Sequence, residues 1–114
     1  MAFVLDLNEM KRTTMTLVMK DDNKTVVHLC CPNRGTVTKI QQTLPDLQRA
    51  LSGEGAEASR AVYELAADLI NNNLDNFKTT ADELLRVYEM NLEDMAVFYT
   101  SYVDFISYFE KAKN

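Results

Sequence analysis

The chain has no tryptophan, three glycines, two prolines, two cysteines and one histidine. Each scarcity removes a class of explanation. The cysteines are neighbours, Cys30 and Cys31, so they do not frame a disulfide-stapled secreted domain. Zinc sites use Cys and His as separated pairs; here His28, Cys30 and Cys31 share one short segment and no second pair exists. Strand alternation would also turn Cys31 away from the other two. Catalysis through a Cys-His pair would have to join His28 to Cys30, and neither a glycine-rich loop nor a nucleophile elbow supports it. Lys and Arg number 12 against 17 Asp and Glu, a net charge of −5, which argues against a dedicated nucleic-acid binder. No stretch approaches the roughly 20 apolar residues of a membrane span. The segment Met1-Ala-Phe-Val-Leu-Asp-Leu-Asn-Glu9 lacks a basic n-region and carries Asp6 inside its apolar run, so it does not read as a signal peptide. A cytoplasmic location is the resulting expectation.

What the chain does have is a mixed pattern. With 114 residues and 46% hydrophobic content it reads as one domain, 1–114, with a hairpin region over 1–32 and a helical region over 33–114. A core of this size leaves little to spare, so association with copies of itself or with a partner is expected. Charge is uneven: residues 1–50 hold seven basic and five acidic side chains, residues 51–114 five and twelve.

The first third predicts β structure. Thr13–Met19 and Thr25–Cys31 are rich in β-branched and apolar residues and flank the polar turn Lys20-Asp-Asp-Asn-Lys24. Alternation places Met15, Leu17 and Met19 on one face, matched by Val27, Leu29 and Cys31. Phe3 to Leu7 is a candidate third strand. Pro32 ends the second strand, and Asn33-Arg34-Gly35 is expected to turn the chain.

From Thr36 the period changes to that of a helix: Val37, Ile40, Leu44, Leu47 and Leu51 share a stripe, with Pro45 expected to kink or divide it. A second helix from Ala56 runs into Asn71-Asn-Asn73, a residue type that accepts left-handed helix ends. Thr80-Ala-Asp-Glu83 fits a capping box for a short helix containing Leu84, Leu85 and Tyr88. Asn91 caps a last helix, about Leu92 to Lys111, with Glu93 and Asp94 at its positive end. The fold class is therefore α+β: an antiparallel hairpin followed by about four helices, mainly helical.

Two features invite a functional reading. The segment Asn71 to Asp82 is rich in oxygen ligands, but it lacks the central glycine and terminal glutamate of a calcium loop. Helix stop, loop and helix start account for it. The last helix is different. Six of the ten aromatic residues fall between Phe98 and Phe109, more apolar surface than one packed face requires. Part of them would fill the core. Phe98, Tyr102, Phe105, Tyr108 and Phe109 are the candidate partner-binding residues, since Tyr and Phe bury large area at low entropic cost. The methionines read as core filling. No catalytic, cofactor-binding or metal-ligating residue is expected, and the chain reads as no enzyme.

The order of elements, with Ala66-Ala-Asp-Leu-Ile-Asn-Asn-Asn73, Lys78-Thr-Thr-Ala-Asp-Glu-Leu-Leu85, Asn91-Leu-Glu-Asp-Met-Ala-Val-Phe98 and Tyr102-Val-Asp-Phe-Ile106, resembles the tail assembly chaperones of long-tailed bacteriophages and prophages. The resemblance is carried by Ala66 to Phe109; the hairpin agrees in type alone. It implies a non-enzymatic, self-associating protein in the bacterial cytoplasm. Such a protein keeps the tape-measure protein soluble, promotes assembly of the tail-tube protein around it, and is absent from the finished virion. It also implies an extended form made by ribosomal frameshifting, which codons for Ala112-Lys113-Asn114 permit. The competing reading is a small dimeric regulatory or antitoxin-like protein-binding module. A helix-turn-helix with a basic recognition helix would favour it, and none is evident.

Overall fold

A computed structural model describes residues 14–53 and 55–112, the side chains of residues 109–112 excepted. The order of elements is β1 (Met15–Val18), β2 (Val26–Leu29), α1 (Arg34–Leu51), α2 (Ala56–Asn71), α3 (Ala81–Arg86) and α4 (Leu92–Ala112). This is the expected α+β architecture of a hairpin followed by four helices. The candidate strand Phe3–Leu7 lies outside the described residues.

β1 and β2 pair antiparallel with Met15 opposite Leu29 and Val18 opposite Val26. The turn between them is fixed by Asp21, whose carboxylate accepts from the Thr25 amide at 2.8 Å and from its hydroxyl at 2.5 Å. Lys24 completes the reversal with a φ of 48°. Met19, Val27 and Leu29 are buried on the inward face while Val18 and Val26 stay outside, as the alternation requires.

Asn33 does not turn the chain away but starts α1: its Oδ1 accepts from the Thr36 amide at 2.9 Å, and Arg34 and Gly35 are already helical. Pro45 does not divide that helix either. Pro45 and Gln41, whose carbonyl loses its donor, both belong to the exposed side of the helix. Of the α1 stripe, Ile40 and Leu47 are buried, whereas Leu44 and Leu51 remain exposed. Gly53 ends the helix at a φ of 83°, its amide bonded to the Ala50 carbonyl, a left-handed closure that glycine adopts without strain.

α2 is the centre of the molecule and packs against α1, α3, α4 and β2. Val62, Ala66, Leu69 and Ile70 are essentially inaccessible, and Ala66 and Ala67 allow neighbours a close approach. The tyrosines that enter this core bring their hydroxyls to carbonyls: Tyr63 to Met90 at 2.5 Å and Tyr99 to Val62 at 2.6 Å. Among the described residues no buried side-chain nitrogen or oxygen lacks a partner.

Candidate functional site

α4 begins with a reciprocal cap. The Asp94 amide donates to Asn91 Oδ1 at 2.8 Å, and the Asn91 amide donates to Asp94 Oδ2 at 2.9 Å. From that fixed start the helical period sends Met95, Phe98, Tyr99, Tyr102 and Ile106 inward. Their rings form a chain of tilted and edge contacts, with centroids 5.7 Å apart for Phe98–Tyr99 and Phe98–Tyr102 and 6.0 Å for Tyr102–Phe105. Burial pushes the Tyr99 and Tyr102 hydroxyls far above their ordinary value, so both stay protonated donors. Tyr102 donates to the Cys30 carbonyl at 3.0 Å and so ties α4 to the end of the hairpin.

The candidate partner-binding residues of α4 divide between core and surface. Phe98 is 4% and Tyr102 0% exposed, Phe105 is half-buried against the core, and Tyr108 is 67% exposed. The Phe109 side chain lies outside the described residues. Two overlapping stripes at helical spacing cannot both face solvent when α4 packs on α1 and α2. The solvent side of α4 carries Val97, Val103 and Tyr108 among polar residues.

The aromatic row is nevertheless reachable at one place. β1 and the first half of α4 stand apart and enclose an open cleft with a volume of about 320 Å³. Met15, Leu17 and Met19 form one wall, Val97 the rim of the other, and Phe98 and Met90 line its floor. Three of the six methionines are therefore cleft residues, and their unbranched thioether chains adapt to irregular apolar guests. At one end of the cleft Lys20 Nζ reaches Asp94 Oδ2 at 2.9 Å. That contact, and the amide of Asn91, hold the Asp94 carboxyl below its usual range. Sequence reasoning did not assign Met15, Leu17, Met19, Met90, Lys20 or Asp94 to a site. The alternation of Met15, Leu17 and Met19 along one face of the first strand was the available signal.

The asparagine run turns out to serve the sheet as well as the helices. Asn73 Oδ1 accepts from the Asp75 and Phe77 amides, and its Nδ2 donates to the Ile70 and Phe77 carbonyls. Asn71 exchanges two bonds with the Thr79 main chain. The left-handed residue is Asn76, φ 58°, and not one of the three consecutive asparagines. This stiff loop pairs with the outer edge of β2: the Cys30 amide donates to the Asn72 carbonyl at 2.9 Å, and the Leu74 amide to the His28 carbonyl at 3.0 Å. Asp75 completes the clasp by accepting from the His28 amide at 2.6 Å and facing its Nδ1 at 3.2 Å. Both contacts hold the Asp75 carboxyl low. His28 thus faces an aspartate on the loop.

Among the described residues no group of three or more His, Cys, Asp or Glu is placed to hold a metal. No helix among them is long and apolar enough to cross a membrane. Compared with protein-family models, curated proteins and solved structures, the chain has no match.

Proposed function

We propose that this protein is a tail assembly chaperone, the family its Ala66–Phe109 segment resembles, and that it works without catalysis. Its client is the tape-measure protein, whose long helical chain exposes apolar seams until tail-tube protein encloses it. The observation that carries the reading is the methionine-lined cleft between β1 and α4, which opens the floor of the aromatic cluster to a guest side chain. An apolar cleft with adaptable walls takes many similar seams without strict sequence reading. Contacts of that kind are weak singly. A self-associating chaperone would sum them along one client, and incoming tube protein would displace them one at a time. The site is the bacterial cytoplasm, before the virion is complete.

Co-expression with the neighbouring tape-measure protein tests this. The chain should raise the soluble fraction of the client and co-purify with it as an oligomer. A client that precipitates equally with and without the chain sinks the proposal.

A further inference from the structure

The cleft is spanned at one end by a single polar contact, Lys20 to Asp94 at 2.9 Å. Lys20 follows β1 and Asp94 lies in the first turn of α4, so the pair links the two walls directly. The two partners are not equally constrained. Asp94 is held by its reciprocal cap with Asn91, whereas the Lys20 side chain is half-exposed and has Asp94 as its one charged partner among the described residues. β1 is anchored to the body through its ladder with β2, which itself packs on α2, and through Met15, Leu17 and the following Met19, which pack with the core. Beneath the contact Met19 and Met90 are 4% and 6% exposed, whereas Met15 and Leu17 further along β1 are half-buried.

We infer that Lys20 and Asp94 form a latch that holds the cleft narrow at the Met19–Met90 end. Its release lets the hairpin tip swing away from α4 and lengthens the apolar trough available to a guest. An exposed pair of this kind is weak and screened by salt, so the latch opens often and closes again, as reversible capture needs. A guest that brings apolar area to Met19 and Met90 stabilises the open form and is favoured over one that fills only the Met15 end. The purpose given to the latch rests on the chaperone reading; the latch itself does not.

Methionine methyl signals in the isolated protein test it, with a soluble paramagnetic agent as the probe. Lys20→Gln should raise the relaxation enhancement of the Met19 and Met90 methyls by roughly 1.5- to 5-fold, and high salt should do the same to the unaltered chain. Lys20→Arg should restore values near the starting ones. Met95, 0% exposed and not among the residues that line the cleft, reports that the fold is intact and should not change. If Met19 and Met90 respond to neither charge removal nor salt while Met95 stays protected, the latch is refuted. The client proposal would survive that result, because no client is present in the measurement.

Discussion

The carboxamide of Asn73 makes four hydrogen bonds to main-chain groups between Ile70 and Phe77, two donated and two accepted. No other natural side chain of that size supplies both roles from one planar group. Asn73→Ala should therefore cost about 2–3 kcal/mol, since each lost bond leaves a half-buried peptide group unserved. Asn73→Asp keeps the acceptor but removes both donors, and should cost nearly as much. Urea unfolding reads both, and a loss under about 0.5 kcal/mol would mean that the loop holds its shape without the side chain. Tyr102 gives a parallel case at the hairpin end. Tyr102→Phe removes only the bond to the Cys30 carbonyl and leaves the ring stack with Phe98 and Phe105 in place. A loss of about 1 kcal/mol is expected, again by urea unfolding.

Three of the joints between elements depend on an aspartate. Asp21 closes the hairpin turn, Asp75 clasps the loop to β2, and Asp94 caps α4 and meets Lys20. All three titrate below the ordinary aspartate value of 3.8, because hydrogen bonds favour their charged forms. The folded chain thus binds fewer protons than the unfolded one in that range. The stability these groups add is complete above 3.8 and is lost as pH falls through their lowered values. Urea midpoints should be flat from about pH 7 to 5 and drop steeply below about pH 4; a midpoint that held or rose there would contradict the assignment. The caps were legible in advance, because Thr80 with Glu83 and Asn91 with Asp94 act within one turn of sequence. The pairing of residues 72–74 with β2 was not. It joins segments more than forty residues apart, and nothing local in Asn71-Asn-Asn73 distinguishes a helix stop from a sheet edge.

For the molecule as a whole, packing decided what the sequence pattern left open. Phe98, Tyr102 and Phe105 share a stripe that serves equally well as core or as surface, and only the packing of α4 on α1 and α2 makes the first two core. The same docking leaves β1 standing off α4, which is how the hairpin methionines come to face the aromatic row. Val97 marks the difference between fold and contact: it is 68% exposed yet borders the cleft. Val97→Asp should change stability by less than about 0.5 kcal/mol and abolish client solubilisation in co-expression. Solubilisation equal to that of the unaltered chain would move the contact away from this cleft.

The loop at Asn72–Leu74 has one more consequence, for how copies of this chain can meet. It occupies the outer edge of β2, whereas β1 pairs with nothing but β2 among the described residues. A sheet with both edges open can recruit strands without limit, the route to fibres. Here one end of the row is already stoppered. Strand-to-strand joining through the other edge would satisfy itself with a single partner and halt there, so copies of this chain crowded together gain no template for endless stacking.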